Sequence, residues 1–254
     1  MTTRAPAPSL LRFGAATAPT RRLICFPFAG GGPAIYRLWT QGLPSDVEVL
    51  VPPSRRPGEA PLDSIAAMVH SLVPAVEAAT DLPYALFGHS MGALMAFEMA
   101  LALEAGSGPA PSHLFVSGRR SPHEIQPPTI NHDLPDDEFL TELERRYAAV
   151  PAAVRREPDL LALLLPALRA DIRATETYER RSDDIVRCPV RVYGGSEDRH
   201  PRPEQLPAWQ HVAEQPVHVR VFPGDHFFLT AQRDALTADI VAHWSEAAVP
   251  AERR

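Results

Sequence analysis

Short apolar runs alternate with longer amphipathic segments along most of this chain. Several of the runs are almost continuously apolar, which is typical of parallel strands buried on both faces. The predicted strands are Leu23–Phe28, Val47–Val51, Tyr84–Phe87, Leu114–Ser117, Val190–Tyr193 and Val217–Phe222. The predicted helices are Ser64–Ala79, Met91–Glu104, Pro203–Glu214 and Thr230–Ser245. This alternation predicts an α/β fold, with a mostly parallel sheet and helices on both of its faces.

The composition excludes several classes of protein. Hydrophobic residues make up 45% of the chain and charged residues 22%, which excludes a disordered chain. The net charge of -6 opposes nucleic-acid binding. The two cysteines, Cys25 and Cys188, predict neither a disulfide framework nor a metal site. No apolar stretch has the roughly 18 residues of a membrane span, and no signal-peptide pattern is present, so we expect a cytoplasmic protein without a membrane partner.

We expect one domain over residues 21–246, after a loose lead-in over 1–20 and before a loose tail over 247–254. Within this domain, the stretch at about 122–184 contains helical patterns and no convincing strand. It therefore predicts a helical insertion between two strands. Insertions at the carboxyl ends of strands in open α/β sheets carry function, so we interpret this one as a lid over a site. The alternative is a helical subdomain that only packs.

The strongest local signal is Gly88-His-Ser90-Met-Gly92, which follows a predicted strand and precedes a predicted helix. At such an elbow, a sharp turn raises the serine oxygen above the edge of the sheet. Backbones crowd there, which explains a glycine two residues to either side of the serine. Ser90 is therefore predicted to be a nucleophile. The alternative is a serine in an ordinary tight turn.

A serine nucleophile needs a general base, and in this fold class the acid and then the histidine follow the serine along the chain. His226 comes just after the last predicted strand, where a loop can bring its ring over the serine. We predict that it is the base. His70 and His243 lie inside predicted helices, and the ring of His89, within the elbow, is expected to pack rather than to act as a base.

The predicted acid is Asp198, which follows the predicted strand Val190–Tyr193. Its carboxylate would accept a hydrogen bond from the ring of His226 and fix the tautomer of that ring. Glu197 is the neighbour that competes for this role, whereas Asp225 is too close to His226 in sequence to reach its ring. An aspartate that only caps a turn or a helix is the alternative interpretation of Asp198.

Two backbone N–H groups are expected to stabilise the oxyanion. One belongs to Met91, directly after the predicted nucleophile. The other is in the glycine-rich loop Phe26–Gly32; because Pro27 has no N–H group, the donor is Phe28 or Ala29, and we favour Ala29. The loop lacks the Lys-Ser/Thr pair of a P-loop and the spacing of a dinucleotide fingerprint, so no nucleotide cofactor is predicted.

Taken in order, these motifs resemble the type II thioesterases, stand-alone α/β-hydrolase enzymes that accompany modular polyketide synthases and nonribosomal peptide synthetases. The resemblance covers about residues 21–245. It is carried by Phe26-Pro-Phe-Ala-Gly-Gly-Gly32, Tyr36-Arg-Leu-Trp39, Gly88-His-Ser-Met-Gly92, Ser117-Gly-Arg-Arg-Ser-Pro-His123, Leu134-Pro-Asp136, Leu165-Pro-Ala-Leu-Arg-Ala-Asp171 and Gly224-Asp-His-Phe-Phe228. The family's usual Pro-Gly-Arg turn is altered here to Pro52-Pro-Ser-Arg-Arg-Pro-Gly58-Glu59, so one wall of the site is expected to differ.

The resemblance implies an α/β-hydrolase fold with a helical lid. It implies hydrolysis of acyl thioesters on the phosphopantetheine arm of an acyl or peptidyl carrier protein, which removes stalled or wrongly loaded groups. The family's nucleophile, acid and base fall on Ser90, Asp198 and His226, and its oxyanion donors on Ala29 and Met91. No metal or soluble cofactor is implied, because the phosphopantetheine arrives on the partner.

Two other functions remain open from the sequence. One is an esterase or another triad hydrolase that acts on free small molecules, and the other is an inactive adaptor that only binds carrier proteins. The complete set of triad residues argues against the adaptor. Arginine pairs at 119–120, 145–146, 155–156 and 180–181 are candidates for a basic docking patch for an acidic carrier; solvated helix faces explain them equally well.

Overall fold

The computed structural model describes residues 9–14, 18–54, 61–124, 131–147, 157–180 and 182–246. Within them, one seven-stranded sheet has the order β1-β3-β2-β4-β5-β6-β7. The strands are β1 Leu11–Phe13, β2 Arg21–Phe26, β3 Val47–Val51, β4 Tyr84–His89, β5 His113–Ser117, β6 Val190–Gly195 and β7 His218–Phe222. The α-helices are α1 Ala34–Arg37, α2 Ile65–Glu77, α3 Met91–Ala105, α4 Asp136–Tyr147, α5 Pro158–Glu176, α6 Phe228–Ala231 and α7 Arg233–Glu246. Two 3₁₀ helices cover Leu38–Gln41 and Pro203–Val212.

The predicted parallel sheet is confirmed for β2 to β7, whose neighbours all pair in parallel. β1 is the exception, because it pairs antiparallel with β3 at the edge of the sheet. Leu11–Phe13 thus form a strand within the segment that was predicted to be a loose lead-in. The tail at 247–254 lies outside the described residues.

Helices cover both faces of the sheet, as predicted. Successive strand residues point to opposite faces, so Ile24 packs in one hydrophobic cluster and its neighbour Leu23 in another. The first cluster includes side chains of α2, α3 and the second 3₁₀ helix, such as Trp209. The second includes Trp39 and the α7 residue Ile240. The fold therefore has three layers, and the carboxyl ends of β2 and of β4 to β7 share one edge.

Two predicted helices differ in detail from the structure. The segment predicted as Pro203–Glu214 is a 3₁₀ helix over Pro203–Val212, and Pro207 lies inside it, where the missing N–H group disfavours regular α-helical hydrogen bonding. The segment predicted as Thr230–Ser245 is divided between α6 and α7.

Helices α4 and α5 occupy the chain between β5 and β6, and the described residues between Pro122 and Asp184 contain no strand. A third hydrophobic cluster joins the two helices through Phe139, Leu143 and Leu165. We call residues 131–147 and 157–180 the helical insertion. No helix within the described ranges is long and apolar enough to cross a membrane.

Candidate active site

Ser90 lies between the end of β4 and the start of α3. Its φ of 54° and ψ of -114° are unusual for a residue with a side chain, and such strain clusters at functional sites. The backbone N–H of Ser90 donates a hydrogen bond of 2.8 Å to the carbonyl of Ser117 at the end of β5. The neighbouring strand therefore supports the strained turn directly, and the serine side chain is only half-buried.

The crowding expected around the elbow is present at both of its glycines. A Cβ atom on Gly88 would overlap the carbonyl oxygen of Gly92, and a Cβ atom on Gly92 would overlap the carbonyl oxygen of Phe26. Both obstacles are backbone atoms, which cannot rotate away as a side chain can. The two glycines are therefore required by the approach of β2, β4 and α3 at this point.

Asp198 and His226 meet as the sequence predicts, although they follow different strands. The Nδ1 atom of His226 lies 2.8 Å from Oδ2 of Asp198, and both side chains are buried. The other carboxylate oxygen of Asp198 accepts a hydrogen bond of 2.8 Å from the backbone N–H of His200. This arrangement orients the ring of His226 through its Nδ1 atom.

The ring of His226 lies next to the elbow. Its centroid is 5.0 Å from the centroid of His89, the residue directly before Ser90. Among the described residues, the Ser90 hydroxyl makes no hydrogen bond to His226 or to any other group. Hydrogen bonds of this kind are commonly long in enzymes without substrate and tighten in the reacting complex.

His89 packs within the elbow, beside the ring of His226. Its ring is fully buried, and its Nδ1 atom lies 2.9 Å from the hydroxyl oxygen of Ser117. Burial, together with the proximity of His226, lowers the pKa of His89 well below its ordinary value, so the ring stays neutral. Its Nε2 atom has no hydrogen-bond partner in the described part of the chain.

The segment Phe28–Gly31, which we call the oxyanion loop because the sequence predicts an oxyanion donor in it, forms a tight turn. The N–H of Gly31 donates to the carbonyl of Phe28 at 2.8 Å, and Gly30 has a φ of 70°. The N–H of Gly30 donates to Oδ2 of Asp171 on helix α5 at 2.9 Å. Within the described ranges, the backbone N–H groups of Ala29 and Met91 donate to no acceptor of the protein.

The structure adds one residue that the sequence analysis missed. Tyr147, at the end of α4, packs on His226 with 4.7 Å between ring centroids, and its ring lies 6.2 Å from that of His200. The helical insertion therefore contacts the imidazole. A tyrosine on a predicted helix gave no local signal of this contact.

The arginine pairs differ in their surroundings. Arg119 is buried, and its Nε atom has no partner among the described residues. Arg145 and Arg146 both bind Glu142, each at 2.6 Å. The pair at 155–156 and residue 181 lie outside the described residues, as does most of the altered turn at 52–59. In the part of the chain that the structure describes, no group of three or more His, Cys, Asp or Glu side chains is arranged to hold a metal ion.

Comparisons with known proteins agree with this architecture. A family model described as "Thioesterase domain" matches residues 21–244. The chain is 36% identical over 212 residues to the gramicidin S biosynthesis protein GrsT of Aneurinibacillus migulanus, which covers 82% of each chain. It is 35% identical over 237 residues to thioesterase PikA5 of Streptomyces venezuelae, covering 91% of this chain and 84% of that one.

A solved structure shows the same fold. The type II thioesterase BorB from the borrelidin biosynthetic cluster is 33% identical and matches with a TM-score of 0.83, covering 95% of this chain and 99% of that chain. The predicted α/β-hydrolase fold is thereby confirmed. Because the family model and the relatives match most of its length, the chain belongs to the thioesterase family and is a type II thioesterase, a hydrolase that acts on thioesters.

Proposed function

We propose that this enzyme removes acyl groups from the phosphopantetheine arms of carrier proteins in a polyketide or nonribosomal peptide pathway. The relatives support the pathway, because GrsT is named for gramicidin S biosynthesis and BorB comes from a borrelidin cluster. The partner would be an acyl or peptidyl carrier protein. No soluble cofactor is needed for this reaction, and a cytoplasmic location remains a prediction from the sequence.

In the proposed mechanism, the Ser90 oxygen attacks the thioester carbonyl while His226 takes the hydroxyl proton. Asp198 holds the resulting imidazolium, and the N–H groups of Ala29 and Met91 donate to the tetrahedral oxyanion. Collapse of the tetrahedral intermediate breaks the C–S bond, and His226 returns the proton to the departing sulfur. Water then attacks the acyl-enzyme with His226 as base again, which releases the acid and restores the serine hydroxyl.

One observation carries this proposal. The hydrogen bond between Asp198 and His226 fixes a buried imidazole beside a strained serine elbow, which an inactive adaptor does not need. The choice of carrier-bound thioesters as substrates rests on the relatives, and a direct comparison of substrates tests it.

The test offers the purified enzyme the same acyl group on a carrier protein, on a small thiol and on a simple alcohol. The proposal expects the highest kcat/KM for the carrier thioester. A preference for the free ester would instead identify an esterase. Carrier binding without turnover of any of the three would identify an adaptor.

The nucleophile is tested by Ser90→Ala, with Ser71→Ala as the control. Ser71 is a half-buried helix residue whose hydroxyl donates only to the carbonyl of Met68. We expect Ser90→Ala to abolish turnover while carrier binding persists, and Ser71→Ala to behave as the wild type. Intact-mass analysis after rapid mixing with substrate is expected to show an acyl adduct on the wild type and none on Ser90→Ala. Near-normal turnover by Ser90→Ala would refute this mechanism.

A further inference from the structure

The helical insertion contacts the oxyanion loop through a partly buried hydrogen bond. The donor is the backbone N–H of Gly30 and the acceptor is Oδ2 of Asp171, at 2.9 Å, although the two residues are 141 positions apart. Asp171 is only 8% exposed. A hydrogen bond from a backbone N–H to a carboxylate is charge-assisted, so it is stronger than one between neutral groups.

A packing contact lies beside this hydrogen bond. Leu168 is one turn before Asp171 on α5, and its Cδ1 atom lies 2.8 Å from the position that a Cβ atom on Gly30 would occupy. Gly30 also has a φ of 70°, which favours glycine. The side chain of Leu168 on α5 therefore packs directly on Gly30.

The geometry of the loop shows what the hydrogen bond controls. A hydrogen bond from Gly31 to Phe28 and a positive φ at the third residue are the features of a type II turn over Phe28–Gly31. Its central peptide joins Ala29 to Gly30. In a type I turn that peptide would face the opposite way, so an acceptor on the Gly30 N–H selects the observed orientation.

We propose that Asp171 is a positioning residue for the oxyanion loop. Its carboxylate anchors the Ala29–Gly30 peptide to α5 and so fixes the position of Ala29, whose own N–H, in the preceding peptide, is the proposed oxyanion donor. This inference rests on the proposed function, in which Ala29 is an oxyanion donor. If the inference holds, the tetrahedral intermediate is stabilised only when helix α5 is correctly positioned against the oxyanion loop. This role is separate from any role of the insertion in covering the site.

Three substitutions separate positioning from simple packing. Asp171→Asn keeps an oxygen that accepts the Gly30 N–H, Asp171→Ala removes it, and Asp171→Ser is too short to reach. Asp159→Ala, at an exposed position on the same helix, is the control. Circular dichroism and thermal unfolding show whether each variant is folded. If the alanine variant does not fold, the kcat values of the asparagine and serine variants are compared instead.

A positioning role predicts a loss in kcat. Removing one oxyanion donor costs about 10²–10³-fold in kcat in other enzymes, so displacing one is expected to cost about 10–100-fold. We expect this loss in Asp171→Ala and Asp171→Ser, with KM changed less than about threefold and Asp171→Asn restoring most of the rate, because oxyanion contacts act in the transition state.

A second measurement uses inhibitors. A trifluoromethyl ketone that forms a tetrahedral adduct with the serine is expected to bind the serine variant more weakly, while an unreactive thioether analogue of the substrate keeps its affinity. Equal kcat in Asp171→Ser and wild type, or equal losses in Asp171→Asn and Asp171→Ser, would overturn the inference. If Ser90→Ala is inactive while Asp171→Ser is unaffected, only the role of Asp171 is refuted; if Ser90→Ala stays active, the proposed function itself is refuted.

Discussion

The Nδ1 atom of His89 lies 2.9 Å from the hydroxyl oxygen of Ser117, and both side chains are buried. This contact joins β4 to β5 directly beneath the elbow, where the carbonyl of Ser117 also accepts the N–H of Ser90. Ser117 thus supports the nucleophile through its backbone and supports the preceding histidine through its side chain. The end of β5 therefore contributes to the shape of the elbow.

Ser117→Ala is expected to lower the free energy of unfolding by about 1–3 kcal/mol, because it leaves both ring nitrogens of His89 without a partner in a buried place. Urea denaturation followed by circular dichroism measures this change. Ser71→Ala is the matched control. A loss no larger in Ser117→Ala than in Ser71→Ala would contradict the prediction.

Gly92→Ala is expected to destabilise the fold by about 3 kcal/mol or more, because the added methyl group would overlap the backbone carbonyl of Phe26. Gly108→Ala is the control, since a Cβ atom there meets nothing within 4 Å. We expect that control to be neutral or slightly stabilising. Thermal unfolding compares the two variants, and similar melting temperatures would show that the elbow tolerates a side chain.

Asp198→Asn is expected to reduce kcat by several orders of magnitude, because the amide favours the wrong tautomer of His226; the same change in a serine protease costs about 10⁴-fold. Glu197→Gln removes the same charge from the exposed neighbouring residue and should leave kcat unchanged. Steady-state hydrolysis of a small-thiol thioester measures both. A large loss in Glu197→Gln with a small loss in Asp198→Asn would reverse the assignment of the acid.

Asp239 anchors α7 to the sheet and makes stability depend on pH. Its carboxylate accepts hydrogen bonds from Arg191 at 2.7 Å, from Tyr193 at 3.0 Å and from Arg220, and His243 lies on the same helix. Burial alone would raise its pKa, but the hydrogen bonds from Arg191 and Arg220 outweigh it and lower the pKa. The stabilisation is therefore complete above the unfolded-state pKa of about 3.9 and is lost as pH falls below it.

Asp239→Asn is expected to cost about 1–3 kcal/mol at neutral pH and to weaken the fall in stability below about pH 4. Urea denaturation at a series of pH values from neutral to acid measures both effects. Asp159→Asn, which removes an exposed carboxylate, should leave the fall in stability at acid pH unchanged. If the free energy of unfolding falls equally steeply below about pH 4 in Asp239→Asn and in the wild type, another group causes the fall.

The central sheet and the contact between Asp198 and His226 were predictable because they follow from local patterns. Each of these residues comes just after a nearly continuous apolar run, and parallel strands bring their carboxyl ends to one edge. The nucleophile elbow has a local requirement as well, since crowding at Gly88 and Gly92 excludes any side chain. In each case the residues carry a recognisable local pattern, even though the contacts they make join distant parts of the chain.

Other features depend on distant packing and left no local pattern. β1 is three residues long, which is too short for a periodic pattern in the sequence. It forms by pairing with the exposed edge of β3. The bond from Gly30 to Asp171 and the contact of Tyr147 with His226 join the helical insertion to loops of the sheet. Their residue types are common on helices, so only the folded arrangement distinguishes them from ordinary surface positions.

The two ends of the helical insertion are tied to each other. Glu176, at the end of α5, accepts hydrogen bonds from the backbone N–H of Asn131 at 3.0 Å and its side-chain amide at 2.6 Å, and Arg169 donates to the carbonyl of Leu134 at 2.7 Å. Within the described residues, these hydrogen bonds connect the segment before α4 to α5, the helix that carries Asp171. A substitution at Glu176 or Arg169 that loosens these contacts is therefore expected to disturb the oxyanion loop through Asp171, although neither residue contacts that loop directly.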